Sequence, residues 1–420
     1  MSDTPTDILS QIFELAVAIR PSFLCTIRSV NRNWFQTAAI TPRLWSNLTL
    51  SHKIHFIDIE YVRVHLQNAG GLPLDINISL PEELQYADIP VIPLLRERVH
   101  KFKSLTMDMP SLEAWKKIVS GIGEGQAAPI LERFVFKVKE DEWDVNFHLP
   151  YTTLANAFTP SPNLVYLQLP AWPLPAQPPP HLSTVVSLVL LTDHYLIKIA
   201  AVFPLILAAN RLQHFTFRVN GEYGESSDPS YTNVISVPQL HSMDVTYPGY
   251  GMNLLGNFRA PNLVDVRLDG FRSCIPEKDG WELEDWGLEF TLPSATILNI
   301  LAVHSPNIRR LELNYIQLAH PNENYFRILS GQIFPDLEEL ILGRTNLHDN
   351  VLIQSAGLHH SLKKLELGEC KYVTGFGLRS FVEGHVSSDF LLILRACPAI
   401  HLEDFELLSA LVHLEYTPAY

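Results

Sequence analysis

Cysteine is scarce in this chain: Cys25, Cys274, Cys370 and Cys397 lie far apart and include no C-x-x-C pair. Such sparse use suits a reducing compartment, where a free thiol behaves as a small core residue. Long apolar runs are missing too, and none approaches the roughly 18 residues that a membrane span needs. Polar Met1-Ser2-Asp3-Thr4 leads straight into a helical pattern, without the basic, apolar and small-residue zones of a secretory leader. Cytoplasm, nucleus or both are therefore the expected locations, with no membrane partner. Clustered basic surface is lacking as well. The formal net charge is -14, with acids spread along the chain in no long run, which argues against a nucleic-acid partner. Disorder is excluded by composition, since 47% of the residues are hydrophobic and only 18% are charged.

Catalytic signatures are also absent. No G-x-S-x-G, H-E-x-x-H or kinase motif occurs. Gly121-Ile122-Gly123-Glu124-Gly125 is only superficially like a phosphate loop. It follows a predicted helix, lacks the Lys-Ser/Thr that would come next, and sets Glu124 where phosphate would be repelled. His359, His360, Cys370, His385 and Cys397 are metal-capable, at spacings that match no ligand pattern. No cofactor, no metal and no enzymatic activity are expected.

What is present is repetition. Ser305-Pro306-Asn307-Ile308-Arg309-Arg310-Leu311-Glu312-Leu313 returns as Ser161–Leu169, Ala260–Leu268 and Phe334–Leu342. Looser copies begin at Phe102, Leu131, Val185, Leu212, Leu240 and Leu362. The ten starts are 29, 33, 21, 27, 28, 23, 45, 29 and 25 residues apart, the period of a solenoid. A solenoid also escapes the size limit of a single core, because each repeat buries its apolar face against its neighbours. In the clearest copies the proline two residues before the first apolar position ends a helix and starts an extended segment. Strand-like alternation starts near Leu44–Leu50 and again at Leu72–Leu80. Helices are predicted over 57–69, 110–121, 152–158, 195–209, 294–303, 322–330 and 378–396. Residues 402–407 fit the strand phrase, and 411–416 read as a final half-repeat or a cap. The expected fold is α/β, about 11 to 12 irregular repeats over 51–420, with parallel strands on a concave face and helices and loops on a convex one.

Alternation along a strand then sorts side chains by role. The two leucines of the phrase point to the core. Tyr166, Gln168, His214, Arg218, Asp265, Arg267, Asp269, Arg310, Glu312, Asn314, Lys364 and Glu366 point to the concave face, a mixed-charge surface suited to a target protein or simply a solvated face of compensating ion pairs. Insertions fall at 220–236 and 271–291. The second carries acidic residues around Trp281 and Trp286, which either anchor a basic partner or pack down on the convex side. The stretch 170–180 reads as an extended proline-rich connection.

Residues 1–50 do not carry the repeat. Ile8, Leu9, Ile12, Phe13 and Leu15 recur at helical spacing, Pro21 interrupts, and a second helix runs from Leu24 to Ala38 before Thr41-Pro42. Two short helices cannot bury this much apolar surface alone. The order Pro5-Thr6-Asp7-Ile8-Leu9-Ser10-Gln11-Ile12-Phe13, then Val30-Asn31-Arg32-Asn33-Trp34, then Thr41-Pro42-Arg43-Leu44-Trp45 resembles an F-box of the kind common in fungal F-box proteins with irregular leucine-rich repeats. The chain departs from that pattern at Thr4, where the family usually has leucine, and at Asn31-Arg32-Asn33. The resemblance implies a helical module that docks on a Skp-type adaptor through Pro5, Ile8, Leu9, Ile12, Phe13, Trp34, Leu44 and Trp45. Through the adaptor it would join a cullin-RING ubiquitin ligase of the SCF type, with the repeats holding the target protein. Two alternatives stay open: a leucine-rich repeat scaffold without ligase function whose first 50 residues only cap the array, and an enzyme with a pocket around Arg267 and Arg310.

Overall fold

The structure, a computed structural model, describes residues 5–20, 22–84, 88–138, 156–170, 178–192, 202–219, 234–246, 258–270, 291–292, 294–318, 320–385 and 389–417. It falls into two compact units, Met1–Ser187 and Leu188–Tyr420. In each unit the main strands follow chain order in a parallel, repeat-like α/β arrangement. No described helix is long and apolar enough to cross a membrane.

The first unit opens with three helices, α1 (Thr6–Ile19), α2 (Phe23–Val30) and α3 (Arg32–Ala39), and a 3-10 turn at Pro42–Trp45. One helix predicted over 24–38 is thus two. Asn31 breaks it, because its backbone is extended and its side chain accepts a hydrogen bond from the Trp34 N–H at 2.9 Å. Asparagine is among the best residues for starting a helix this way. Leu9, Phe13 and Val17 of α1 are buried, as are Leu24, Ile27 and Ala38. The indole N–H of Trp45 donates to the Ala38 carbonyl at 2.7 Å, and so ties the helices to the strand that follows.

That strand is β1 (Asn47–Leu50), followed by β2 (Leu74–Ser79), β3 (Phe102–Met109), β4 (Arg133–Val138) and β5 (Tyr166–Pro170). Their parallel register puts Leu48, Ile76, Leu105, Phe134 and Leu167 side by side in one buried column. Connecting helices start on side-chain caps: Asp58 accepts from Tyr61 N at 3.0 Å and Ser111 from Ala114 N at 3.2 Å. Gly121 and Gly123 close the helix Leu112–Gly123, whose last carbonyls are taken by Arg96, at 3.1 Å to Gly121 and 2.8 Å to Glu124. The glycine-rich stretch is a helix end held by an arginine.

In the second unit the strands are β6 (Ser187–Thr192, which begins one residue before the unit), β7 (His214–Val219), β8 (Ile235–Ser236), β9 (Ser242–Thr246), β10 (Phe258–Arg259), β11 (Asp265–Asp269), β12 (Thr291–Leu292), β13 (Arg310–Asn314), β14 (Gln317–Leu318), β15 (Glu339–Gly343), β16 (Lys364–Gly368), β17 (Leu391–Arg395) and β18 (His413–Thr417). Two short parallel pairs, β8 with β10 and β12 with β14, stand apart from the main sheet. The core column here is Phe215, Met243, Val266, Leu311, Leu340, Leu365 and Leu392, all buried, and it ends at the half-buried Leu414.

Two expectations are corrected near the end of the chain. The helix predicted over 378–396 is the helix Gly375–Gly384 followed by β17, in which Leu392, Ile393 and Leu394 are all buried. A short run apolar on every side fits a doubly buried strand as well as a helix. Conversely, Leu402–Ser409 is a helix and not a strand, because Asp404 accepts from the His401 N–H at 2.8 Å and starts it. The final strand, His413–Thr417, overlaps the 411–416 stretch that reads as a half-repeat or a cap. Most of 152–158 and 195–201 lies outside the described residues, as do 220–233, 271–290 and 171–177.

The polar residue of the repeat phrase has a definite task. Asn163, Asn262 and Asn307 each donate from the side-chain amide to the carbonyl of the proline at the matching position of the preceding repeat, Pro129, Pro238 and Pro261, all at 2.8 Å. Beyond the strands, Tyr315, Arg344, Glu369 and Ala396 take left-handed conformations at φ 54°, 50°, 50° and 50°. Such a conformation costs a non-glycine residue about 1 kcal/mol. Each is offset by a backbone N–H that donates to the last carbonyl of the next strand, at 2.7–2.9 Å.

Deleting the amide in Asn307→Ala is expected to lower stability by about 1 kcal/mol, against about 2–5 kcal/mol for Leu311→Ala in the core column; chemical denaturation compares the two. A pH effect follows from His65 and His181, which burial pushes down to about 4. Their pKa is lower folded than unfolded, so the stability associated with their neutral form is complete above about pH 6.5 and is lost as pH falls from 6.5 toward 4. Both ring nitrogens of His181 lack a hydrogen-bond partner among the described residues. His181→Leu is therefore expected to retain the fold and to flatten this acid limb in denaturation curves between pH 7 and about 4.

Candidate functional site

Two surfaces stand out. The first lies on α1. Ile8, Ile12, Leu15 and Ile19 fall at i, i+4, i+7 and i+11, the spacing of a single helical stripe, and they are 46%, 50%, 67% and 84% exposed. Leu9, Phe13 and Val17 form a second stripe, turned inward. α1 therefore has apolar residues on two sides, and only one is used internally. Phe23, Val30, Phe35 and Ile40 add further exposed apolar side chains from α2, α3 and the residue after it. The helix holds no Lys or Arg, and its Glu14 pairs with Arg43 at 3.5 Å.

Of the residues expected to meet an adaptor, Pro5, Ile8 and Ile12 are exposed. Trp34 is half-buried, its ring 4.9 Å from that of Phe13. Leu9, Phe13, Leu44 and Trp45 are buried in the module, so their part is to build the surface and not to touch a partner. Leu15 and Ile19 were not among the expected docking residues. Their 4-3-4 spacing from Ile8 was the available signal.

The second surface is the side-chain row on the open face of the sheet. The register sets Arg310 beside Asp265 and Glu339, and Arg267 beside Asp244 and Glu312. Arg310 reaches Asp265 and Glu312 at 3.2 Å each and Glu339 at 3.7 Å. Arg267 reaches Glu312 at 3.3 Å and Asp269 at 3.8 Å. Asn314 donates to Glu312 at 2.7 Å. Further along, Glu366 sits between Lys364 at 3.2 Å and Arg395 at 2.6 Å. Burial pushes the Glu366 carboxyl up, but the hydrogen bonds from Arg395 and Lys364 outweigh it and hold it below the usual range. On the other side Arg218 pairs with Asp244, and the His214 ring hydrogen-bonds Ser242 at 2.8 Å. In the first unit the Arg133 guanidinium lies 3.8 Å over the Tyr166 ring, and the Tyr166 hydroxyl donates to Gln168 at 3.3 Å.

All twelve residues expected on this face lie in the strands, and most are drawn into pairs. Sequence reasoning missed Asp244 and Arg395, which complete the pairs of Arg218 and Glu366. It also missed the rim, where Arg344 pairs with Glu369 and lies 4.8 Å over the Tyr315 ring. Those three side chains come together through the left-handed turns, which have no sequence signature when the residue is not glycine. The paired bases, Arg218, Arg267, Arg310, Lys364 and Arg395, nearly balance the acids Asp244, Asp265, Asp269, Glu312, Glu339 and Glu366. The face therefore presents hydrogen-bonding groups in fixed positions with little net field. Arg267 and Arg310 are both engaged by carboxylates, and among the described residues no three His, Cys, Asp or Glu side chains converge as metal ligands would. Trp281 and Trp286 lie outside the described residues.

No family model matches the chain, and no curated protein matches it in sequence. Among solved structures, a Bacteroides fragilis protein determined by a structural genomics consortium aligns with 81% of this chain and 72% of its own length, at 11% identity and a TM-score of 0.35. A likeness that slight carries no inference about fold or activity.

Glu312 is shared by Arg267, Arg310 and Asn314, and its side chain is 11% exposed. Glu312→Gln is expected to cost about 1–3 kcal/mol. Glu383→Gln, in the exposed pair with Arg379, should stay within about 0.5 kcal/mol. Denaturation of the two variants side by side checks this ordering.

Proposed function

We propose that this chain is the substrate-recognition subunit of an SCF-type ubiquitin ligase, with an F-box-like helical module at its start and leucine-rich-type repeats after it. The observation that carries the reading is the exposed stripe Ile8, Ile12, Leu15 and Ile19 on a helix whose other apolar side is already buried. A helix that lays four apolar side chains at this spacing into a partner's groove is a common mode of docking. Pro5 and Trp34 flank that stripe in the reading, while Leu9, Phe13, Leu44 and Trp45 hold the module rigid behind it. The ordered residues of the F-box-like pattern then fall into two groups, those that build the module and those that meet the Skp-type adaptor.

The repeat array holds the target protein on its open face, through Tyr166, Gln168, His214, Arg218, Asp265, Arg267, Asp269, Arg310, Glu312, Asn314, Lys364 and Glu366. The chain contributes position and no bond chemistry. Holding a target near a ubiquitin-charged partner raises its effective concentration there. A near-neutral, pre-ordered face favours recognition by shape and hydrogen bonding over attraction of a strongly charged ligand.

A second reading, a repeat scaffold that meets no ligase, is favoured by one contact: the Trp45 ring packs edge-on against His65 at 5.3 Å, so the helices also cap the first repeat. Purification of the chain with a Skp-type adaptor separates the two. A stable complex is expected, and Ile8→Lys and Ile12→Lys should each weaken it about 30-fold, the loss typical of an interface hot spot, with circular dichroism and thermal midpoint unchanged. Absence of a complex with the unaltered, folded chain would leave the scaffold reading in place. Leu9→Ala with Phe13→Ala does not discriminate, because it empties the module's own core.

A further inference from the structure

The paired row of the open face breaks off at the C-terminal end of the array. β18 (His413–Thr417) is the last strand of the main sheet. It pairs with β17 on one side and has no strand on the other among the described residues. Arg395 of β17 still finds its acid, Glu366, on β16. His413 and Glu415 of β18 are exposed, with neither a hydrogen-bond nor an ion-pair partner among the described residues. The core columns stop short in the same place. Leu392 and Leu394 are buried, whereas Leu414 beside the first is half-buried and Tyr416 beside the second is 43% exposed. Leu407 and Leu411, in and just after the helix that leads into β18, are exposed as well.

Nothing in β18 blunts its edge. Proteins commonly protect edge strands with lysine, proline or a bulge. β18 holds no lysine or proline, and it pairs with β17 without a break in register. The direction of its backbone groups follows from one bond. The Ala396 N–H donates to the Thr417 carbonyl at 2.9 Å, so Thr417, Glu415 and His413 turn their N–H and C=O toward β17. Leu414 and Tyr416 then turn theirs to the open edge.

We infer that β18 is a self-association edge, which pairs antiparallel with β18 of a second copy about a two-fold axis at Leu414. In this register the two Leu414 residues exchange both backbone hydrogen bonds, and each Tyr416 N–H reaches the Val412 carbonyl of the other copy. On the open face His413 of one copy stands opposite Glu415 of the other, so an imidazole meets a carboxylate on both sides of the axis. On the core face Leu414 meets Leu414 and Tyr416 meets Val412, which covers the apolar ends of both arrays. A register centred on Glu415 would set the two Glu415 carboxylates against each other, and like charges directly opposite are unfavourable. One centred on His413 would set Glu415 against Leu411. The stretch Val412-His413-Leu414-Glu415-Tyr416 is thus complementary to its own reverse, as a two-fold interface requires. Pairing at this edge needs neither an adaptor nor a target.

Sedimentation equilibrium of the full chain over a range of concentrations tests this. A reversible monomer–dimer equilibrium is expected. Glu415→Lys should weaken it about tenfold, and His413→Glu added to Glu415→Lys should restore it, because the swapped pair is complementary again. Both side chains are exposed, so the thermal midpoint should stay in place. Mild oxidation of cysteine variants reads the register. A mixture of His413→Cys and Glu415→Cys chains should form a disulfide between the two new positions, located by peptide mapping, and neither variant should form one with itself. Facing residues of this kind have Cα atoms about 4.5 Å apart, within disulfide reach, and diagonal ones do not. A monomer at every concentration would overturn the proposal. So would species that grow beyond the dimer, or a disulfide joining two Glu415→Cys chains. If Glu415→Lys lowers the thermal midpoint, the disulfide pattern decides alone.

Discussion

The structure depends on one repeated hydrogen-bond pattern, in which the carbonyl just before a strand accepts two consecutive N–H groups from the next rung. Glu132 O takes Val165 N and Tyr166 N at 2.9 and 3.0 Å. Val264 O takes Arg309 N and Arg310 N, Arg309 O takes Glu338 N and Glu339 N, and Glu338 O takes Lys363 N and Lys364 N, all between 2.7 and 3.0 Å. This shared acceptor fixes the parallel register wherever it recurs along the sheet. A slip of one residue would exchange the core leucines for the charged row of the open face, so the hydrophobic column and the ion-pair row are two consequences of the same constraint. The asparagine-to-proline clamps act beside it and hold the incoming turn of three repeats, at Asn163, Asn262 and Asn307.

Much of this was legible because the phrase encodes the constraint directly. The ten recognised starts, from Phe102 to Leu362, each lead into a strand of the sheet. Leucine at the two inward positions and a turn-forming Pro-Asn before them leave few other conformations. What escaped was information held between rungs. The role of Asn307 needs the Pro261 carbonyl, which is 46 residues away. The strand Leu391–Arg395 lacks polar alternation because Leu392, Ile393 and Leu394 are all buried, and its apolar run reads equally as the end of a helix. The left-handed turns at Tyr315, Arg344 and Glu369 exist because the next strand supplies an acceptor, and no local residue choice marks them.

The candidate sites show the same division. On α1 the apolar residues were easily found, but their sides were not distinguished. Leu9 and Phe13 face α2 and α3, and Ile8 and Ile12 do not, a difference set by one step of about 100° around the helix and by partners that only the fold brings together. On the sheet, alternation placed all twelve residues on strands. It could not say that Arg267 and Arg310 are each occupied by carboxylates, because their partners come from neighbouring rungs.

These two surfaces differ in what binding would cost. Half-exposed charges that already satisfy one another gain little from a new ion pair, since each must first lose a partner in place, and exposed pairs contribute at most about 1 kcal/mol. Affinity on that face has to come from shape and from groups such as Asn314 and His214 at fixed spacing. The α1 stripe has the opposite character. Its four side chains have no internal partner to lose, and covering them returns roughly 25 cal/mol for each Å² of apolar area. The helical module therefore suits a constant partner held by hydrophobic burial, and the sheet face suits a selected one, because a complementary pattern is rewarded there and general stickiness is not.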